Sequence, residues 1–489
     1  MADNITGIGT LERQVIEAAL VTTRPFSSSE ERSKASLSLE QWTSGSTNAA
    51  TPLDSSCWEA YMNIVRIAFA TTARSSTSSE HSGSSTLSET NVIEKIAYVT
   101  SKQPANEQQI QREANGAKLL LLTLLCSKIR REYSRLLREN VNLGRCVFEE
   151  LITALLSIGD NNQQQPTDDT ATLMRACCTA VAAVAVRSSS SQCLNEGVMK
   201  MIHNCKTSIA LSLGINHGTN QLDIRPFSPT VALTLLADLP GEAQSRNDLP
   251  NTDIEALLQM PFDATNMSAA DASLDTLQLS LGGFINGGGE VQDSLLCLTL
   301  KSLRKWAEAC KSITISRLME TSSSNGTTGN SFLSQLVALL SSQSEQRQWS
   351  TARHAEKAII QSANVLTACI DNTSDFCTQS RRSAVSSMLS SIQAPVEFLV
   401  APLRNSEMHS WEDATVALSN LASTLAREEM EDISTCQLQG SFDLIQLLLE
   451  LQAHPVHNVA LPVLEVWLAL QDIPTSDDIH HLQHLYICN

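Results

Sequence analysis

The segment from Glu107 to Ile158 constrains the fold of this 489-residue chain more than any other stretch. Its first part has apolar residues at three- and four-residue intervals, which share one side of a helix. They are Ala114, Leu121, Leu122, Leu125, Ile129, Tyr133 and Leu136. Polar and glycine breakers between 140 and 144 precede a second stripe, Val147, Leu151, Leu155 and Ile158. Two amphipathic helices joined by a short link form a hairpin that cannot bury both apolar sides alone, so further helices must stack on it.

The rest of the chain has the same helical character. Aromatic residues make up 4% of the chain, and Gly and Pro number 19 and 14, a composition that suits helices better than a large sheet. Helical patterns recur in about eight pairs at a period of roughly 40 to 60 residues, the length of HEAT-type units. We therefore predict an all-α fold, a HEAT-repeat-type superhelical solenoid of antiparallel helix pairs.

Breaks in the helical pattern suggest four parts. Residues 1–158 form N-terminal repeats with a low-complexity, disordered insertion at 73–90. Residues 159–240 continue the repeats and finish with a helix near Ser228 to Leu239, which Pro240 and Gly241 are expected to end. Residues 241–289 have weak periodicity and end in GGFINGGG, which predicts an irregular or flexible insertion. Residues 290–489 return to helical repeats, and Arg382 to Ile392 and Val396 to Leu403 are two of the predicted helices.

The chain end at Asn489 follows an apolar helix pair at Phe442 to Leu470. A solenoid normally ends in a repeat with a polar outer cover, and almost none follows this pair. We therefore expect the array to be truncated at the C-terminus.

The charge of the chain limits its partners. It has 34 basic and 52 acidic residues, a net charge of −18 and a pI near 5.0. Phosphate binding needs a basic surface, so the charge argues against direct nucleic-acid binding. Basic proteins are the expected partners, because a negative field attracts them. The alternative is that the acidity only keeps the protein soluble.

The cysteines and apolar runs indicate the compartment. The thirteen cysteines occur singly or as Cys177-Cys178, without a CxxC motif, as in proteins of reducing compartments. The first residues, MADNITGIGTLERQ, lack the pattern of a signal peptide. Aliphatic runs such as Leu119 to Leu122 are too short to span a membrane. We expect a cytosolic or nucleocytoplasmic protein without a membrane span.

No pattern predicts catalysis, a metal or a cofactor. The HHLQH run at His480 to His484 has a metal-like pair without a third ligand. The GGFINGGG segment lacks the order of a phosphate-binding loop, and HExxH and GxSxG are both missing. The chain is therefore predicted not to be an enzyme.

Three ordered stretches resemble the importin-β (karyopherin) superfamily, specifically its transportin-SR branch. The first is KASLSLEQW from Lys34 followed by CWEAYMNIV from Cys57, with Cys57 where the family usually has Ala. The second is the SKI triplet from Ser127, although Thr123 and Leu124 replace the Gln-Thr pair upstream of it. The third is HPVHNVALPVLEVWLAL from His454. Weaker support comes from Leu303 with Trp306 and from SPTVALTLLADLP, Ser228 to Pro240.

The resemblance implies a function as well as a fold. Members of this family hold the small GTPase Ran in its GTP form on N-terminal repeats and hold protein cargo in the arch. They also bind Phe-Gly repeats of nucleoporins between neighbouring outer helices. Because members reach about twice this length, the chain is similar to their N-terminal half. The element that binds serine/arginine-rich cargo in this branch belongs to the other half.

The resemblance also suggests candidate interface residues. For Ran they are Lys34, Glu59, Lys128, Arg131, Glu149 and Glu150; for nucleoporins they are Trp58, Trp306 and Trp467. The alternatives are ordinary: a tryptophan at helical spacing is commonly a core residue, and charged pairs commonly lie on a solvated helix face. The arginines at 130, 131 and 135 could bind an acidic switch segment of the GTPase. Alternatively, they only stabilise the C-terminal end of their own helix by interacting with its dipole.

The sequence therefore predicts a nuclear transport receptor that shuttles between cytoplasm and nucleus, most simply an import carrier, with basic and serine/arginine-rich proteins as cargo. The alternative is a HEAT-type scaffold that organises a cytosolic complex. A third possibility, an enzyme with a helical accessory array, would need a catalytic domain for which the sequence has no room.

Overall fold

The computed structural model describes residues 9–44, 55–69, 92–101, 106–162, 168–188, 194–215, 225–246, 254, 258–259, 267–320, 332–340, 349–372, 379–404, 411–434 and 438–471. These residues are mostly helical, and the described part contains no β-strand beyond one isolated bridge residue. The chain is all-α, as predicted. It divides into two compact units, residues 1–208 with 219–249, and residues 209–218 with 250–489.

Nine helices precede residue 250 in the described part. They are α1 (Thr10–Thr23), α2 (Ser29–Ser44), α3 (Ser55–Phe69), α4 (Val92–Thr100), α5 (Glu107–Glu139), α6 (Val141–Asn162), α7 (Asp168–Arg187), α8 (Leu194–Ser212) and α9 (Pro229–Gln244). Helix α5 is central in the first unit, since α1, α4, α6 and α7 all pack on it, and α7 also packs on α9. The predicted boundary at residue 158 does not separate two units, because α5 and α6 both contact α7. The predicted insertion at 73–90 lies outside the described residues.

Both apolar stripes of the opening segment are buried, as predicted. Every residue of the two stripes is at most 6% exposed. The break between α5 and α6 is a single residue, Asn140, whose amide donates to the carbonyl of Leu136 at 2.7 Å and whose side chain accepts from the amide of Leu143 at 3.1 Å. The hydroxyl of Tyr133 donates to the carbonyl of Gly144 at 2.8 Å. Asn140 therefore ends one helix and starts the next, and Tyr133 ties them together.

Helix α2 starts with a reciprocal cap between Ser28 and Glu31. The amide of Glu31 donates to Ser28 Oγ at 3.2 Å, and the amide of Ser28 donates to the Glu31 carboxylate at 2.9 Å. This reciprocal arrangement satisfies two amides that would otherwise lack a helical partner.

Helix α7 is long and apolar enough to cross a membrane by length and composition. It packs against α5, α6 and α9, and its residues from Ala180 to Arg187 are all buried. This is the position of a core helix, and core helices pass the same composition test.

The second unit contains ten described helices. They are α10 (Ala269–Ile285), α11 (Glu290–Ala309), α12 (Ile315–Glu320), α13 (Phe332–Leu340), α14 (Ala352–Asp371), α15 (Gln379–Arg404), α16 (Glu412–Glu428), α17 (Met430–Ser434), α18 (Ser441–Gln452) and α19 (His457–Gln471).

Eight of these helices, all except α12 and α17, pack in two rows. The first row is α10, α13, α15 and α18, and the second is α11, α14, α16 and α19. Each helix contacts the next one in its own row, and the pairs α10 with α11, α13 with α14, α15 with α16 and α18 with α19 connect the rows. Successive pairs are therefore stacked on one another along the chain.

Three stretches differ from the sequence prediction. Residues 241–289, predicted to be irregular, contain the end of α9 and all of α10, which starts where Ser268 Oγ accepts from the amide of Asp271 at 3.1 Å. Helix α9 continues through Pro240 to Gln244, and Glu242 in its last turn pairs with arginines of α5 and α7. Helix α15 is one helix, whereas the sequence predicted two, Arg382 to Ile392 and Val396 to Leu403.

Candidate functional site

The six residues predicted to face Ran lie on several helices. They lie on four helices of the first unit: Lys34 on α2, Glu59 on α3, Lys128 and Arg131 on α5, and Glu149 and Glu150 on α6. Helix α2 packs on α5, and α3 packs on α6. Helix α5 also contacts α3 and α6, so the four helices belong to one packed group.

Lys128 is not a surface residue, because its side chain is only 2% exposed. Its ammonium nitrogen lies 2.8 Å from a carboxylate oxygen of Glu132, one turn further along α5, and 5.4 Å from the centre of the Trp58 ring. Burial of the lysine stem and pairing of its charge explain how a cation is accommodated in the core. Lys128 is therefore removed from the candidate interface.

Trp58 belongs to an aromatic cluster that consists of Trp42, Trp58, Tyr61 and Tyr133. Trp42 stacks on Tyr61 with ring centres 3.9 Å apart, and Trp58 lies 6.4 Å from both tyrosine rings. Burial raises the pKa of Tyr133 to about 12 and raises the pKa of Tyr61 further still. Both phenols are therefore neutral in the physiological range, and the cluster is a packed core.

The predicted nucleoporin residues differ in exposure. Trp58 and Trp306 are fully buried, so neither ring can line an open pocket. Both are core residues, which was the alternative interpretation of the sequence. Trp467 on α19 is half-buried. A surface role therefore remains a prediction for Trp467 alone among these three.

Arg131 and Glu150 hold neighbouring helices together. Arg131 Nη2 donates to the backbone carbonyl of Thr43, close to the end of α2, at 3.3 Å. Arg66 on α3 donates from Nε to Glu150 on α6 at 2.9 Å, and its Nη2 contacts the same carboxylate oxygen. Pairing with Glu150 raises the pKa of Arg66 above its ordinary value. The ion pair spans 84 positions of sequence, so the spacing of charges along the chain could not have revealed Arg66.

One charged surface remains after these assignments. It consists of Glu59 and Arg66 on α3 with Glu149 and Glu150 on α6, and we call it the α3–α6 surface. Glu59, Arg66 and Glu149 are exposed, and Glu150 is half-buried beneath Arg66. Arg145, exposed one turn before Glu149 on α6, adds a second guanidinium. Three carboxylates against two guanidinium groups still leave a net negative charge, which suits a basic patch on a protein partner.

The three arginines near the end of α5 have separate partners. Arg130 contacts Glu242 on α9, Arg131 contacts the end of α2, and Arg135 pairs with Glu139 at 2.7 Å. They therefore do not act as one cluster for an acidic segment.

Glu242 is the centre of a buried charge network. Arg130 Nε donates to its carboxylate at 3.1 Å, and Arg187 Nη1 lies 3.4 Å from the same carboxylate oxygen. Arg187 also donates to the carbonyl of Arg130 and to Ser245 Oγ. Burial lowers the pKa of Arg187, while Glu242 raises it. The network joins α5, α7 and α9 and is structural.

Metal and thiol chemistry find little support in the described part of the chain. No three His, Cys, Asp or Glu side chains gather there as metal ligands. The HHLQH run lies outside the described residues. The nine described cysteines are free thiols, seven of them buried. Burial raises the pKa of Cys126 to about 11 and that of Cys177 and Cys369 to about 12, so these thiols are poor nucleophiles.

Comparison of the chain with models of protein families, with curated proteins and with solved structures finds no match.

Proposed function

We propose that the chain is a nuclear transport receptor of the importin-β type, a non-enzymatic helical solenoid that shuttles between cytoplasm and nucleus. It binds Ran in its GTP form, carries basic protein cargo into the nucleus and contacts Phe-Gly nucleoporins at the pore. Serine/arginine-rich proteins are one class of such cargo.

The two helix rows of the second unit carry this proposal. Successive helix pairs pack on one another, and stacked pairs of this kind generally offer a long surface suited to another protein. The excess of 18 negative charges favours a basic partner for such a surface. The three ordered motifs beginning at Lys34, Ser127 and His454 supply the link to transport receptors.

The α3–α6 surface is the proposed contact for Ran. It lies on the N-terminal helices, where the resemblance expects the GTPase, and its exposed carboxylates complement a basic patch. Ran and cargo would lower each other's affinity by the same factor, as thermodynamic coupling requires.

A binding assay with Ran tests the proposal. The full chain is immobilised and titrated with Ran loaded with a non-hydrolysable GTP analogue or with GDP. We expect binding of the GTP form at least tenfold tighter. The variant Glu149→Lys should weaken it about fivefold or more, because it reverses one charge of the contact. The control Glu290→Lys changes an exposed carboxylate of the second unit and should have no effect. Equal binding of the two nucleotide states would refute the proposal.

A HEAT-type scaffold would have the same two helix rows. A second assay distinguishes the scaffold from a transport receptor. A transport receptor should bind a Phe-Gly repeat peptide but not the same peptide with Ser in place of Phe. A scaffold should bind neither peptide, and its affinity for the two forms of Ran should be equal.

A further inference from the structure

Helix α2 is attached to the first unit through a small buried face. Among its described side chains, Ala35, Leu39 and Thr43 are at most 9% exposed, Trp42 is half-buried and the others are exposed. Helix α3 has nearly the same length and buries eight side chains. Because packing of an apolar face supplies most of the stability of a helix in a protein, α2 is held less firmly than α3.

Two hydrogen bonds fix the last turn of α2. The thiol of Cys57 on α3 donates to the carbonyl of Trp42 at 3.3 Å, and Arg131 Nη2 donates to the carbonyl of Thr43 at 3.3 Å. Carbonyls in the last turn of a helix have no partner within the helix. Water would replace both donors if α2 moved away, so the two bonds add little net resistance to its release.

The aromatic cluster beneath α2 contains three polar groups without a hydrogen-bond acceptor among the described residues. They are the indole nitrogens of Trp42 and Trp58 and the hydroxyl of Tyr61, all shielded from solvent. The Trp42 ring of α2 stacks on the Tyr61 ring of α3. A buried donor without an acceptor is unfavourable, because it has lost its water and gained nothing in return. Separation of Trp42 from Tyr61 would let water return to these groups.

The rest of the aromatic cluster is firmly anchored. The hydroxyl of Tyr133 has an acceptor, the carbonyl of Gly144, and this bond ties α5 to α6. Lys128 lies beside the Trp58 ring and is paired with Glu132. The weak boundary of the cluster is therefore the one between α2 and the helices beneath it.

We propose that α2 is a detachable cover of the aromatic cluster. In an open state, α2 leaves α1 and α5 while the other helices of the first unit stay folded, and Tyr61 loses the Trp42 ring that covers it. The unpartnered donors lower the free energy needed for this opening, because they are hydrated only when α2 is released. The inference goes beyond the proposed transport function, since the opening requires neither Ran nor cargo.

Hydrogen exchange of the full-length protein, followed by mass spectrometry, tests the opening. A detached helix of sixteen residues is marginal in water and should unwind, so its amides exchange. We expect the amides of α2 to be at least tenfold less protected than those of α7, a core helix of the same unit. Low concentrations of urea should speed exchange in α7 more steeply, because global unfolding exposes more surface than release of α2. An equally steep urea dependence in α2 and α7 would overturn the inference.

Thiol labelling gives an independent measurement at the base of α2. Cys57 is 6% exposed, and Cys177 on α7 is fully buried. Release of α2 uncovers Cys57, so a maleimide should modify it at least tenfold faster than Cys177. The variant Leu39→Ala removes an apolar anchor of α2 and should speed the labelling of Cys57 at least tenfold. An unchanged rate would show that α2 does not control access to Cys57 and would contradict the inference.

A pair of tyrosine variants tests the cause of the opening. Tyr61→Phe removes a hydroxyl that has no acceptor, so it should stabilise the closed state and slow the exchange of α2 about fivefold or more. Tyr133→Phe removes a hydroxyl that donates to Gly144 and should not slow this exchange. Both variants keep the aromatic ring, which preserves the packing of the cluster. Unchanged or faster exchange in Tyr61→Phe, or equal slowing in both variants, would refute the role of the unpartnered donors.

Discussion

The ammonium nitrogen of Lys128 lies 5.4 Å from the centre of the Trp58 ring, and both side chains are buried in the core of the first unit. The sequence alone suggests that each is an interface residue. Their contact with one another in the core indicates instead that Lys128 stabilises the fold.

Replacement of Lys128 should destabilise the first unit. In Lys128→Ala the contact with Trp58 is lost, a cavity forms and Glu132 loses its partner, so we expect a loss of about 3 kcal/mol in the free energy of unfolding. Lys128→Met keeps the aliphatic volume and should lose less. Urea titration measures both. The control Lys34→Ala removes an exposed lysine and should change stability by less than about 0.5 kcal/mol; similar losses in Lys34→Ala and Lys128→Ala would contradict the buried role.

Removal of the Glu242 charge should cost more than removal of Arg130. Arg187 and Glu242 are 4% and 5% exposed, so Glu242→Gln leaves a buried guanidinium without its counter-charge and should cost about 3 to 5 kcal/mol. Arg130 is 42% exposed, and Arg130→Gln should cost about 1 kcal/mol or less, since Arg187 still pairs with Glu242. The two urea midpoints decide the order, and equal losses would show that the network is not centred on Glu242.

The thiol of Cys177 should make the protein less stable at alkaline pH. Burial raises its pKa from an ordinary 9.0 to about 12 in the folded protein. Below pH 9 the thiol is neutral in both states and its contribution is complete; as the pH rises towards 12, the unfolded chain releases the proton first and stability is lost. The loss approaches 1.4 kcal/mol per pH unit for one such thiol.

The variant Cys177→Ala should therefore lose stability less steeply than the wild type between pH 9 and 11, by about 1 kcal/mol per pH unit. Cys146 is exposed, and Cys146→Ala serves as the matched control with an unchanged slope. Parallel urea titrations at several pH values give the slopes. Identical slopes in wild type and Cys177→Ala would show that this thiol does not ionise differently in the two states.

Asn372 should be essential for the connection that follows α11. Its side-chain amide nitrogen lies within hydrogen-bond distance of three backbone carbonyls, those of Ala307 at 2.8 Å, Ile313 at 3.1 Å and Cys310 at 3.3 Å. Asn372→Ala leaves these carbonyls without that donor and should cost about 2 kcal/mol. Asn286→Ala removes a single long contact of an exposed side chain and should cost less than about 0.5 kcal/mol. Thermal unfolding of both variants measures these losses. An equal shift in Tm for the two variants would contradict the special role of Asn372.

Much of the secondary structure was predictable, because its causes are local. The stripe from Ala114 to Leu136 repeats with the period of a helix, and Ser28 and Glu31 have the spacing of a capping box. Helix α10 was not predicted, because Gly282 and Gly283 within it and the three glycines after it suggested a loop, whereas Ser268 supplies its start.

The candidate surface was much less predictable. Lys128 and Lys34 are both lysines on amphipathic helices, yet one is buried beside Trp58 and the other is exposed. Only the Lys128–Glu132 spacing of four residues gave a local hint of pairing. The partners of Glu150 and Glu242 lie on other helices and have no signature in the neighbouring sequence.

The sequence by itself determined that this chain is helical and where several of its helices lie, α5 and α6 among them, because periodicity and caps act within one or two turns. The tertiary structure decided which charges are buried, which helix faces are covered and that the helices of the second unit stack in two rows. Those outcomes depend on contacts between residues far apart in the chain, such as Arg66 with Glu150 and Arg130 with Glu242, which form only when the helices pack.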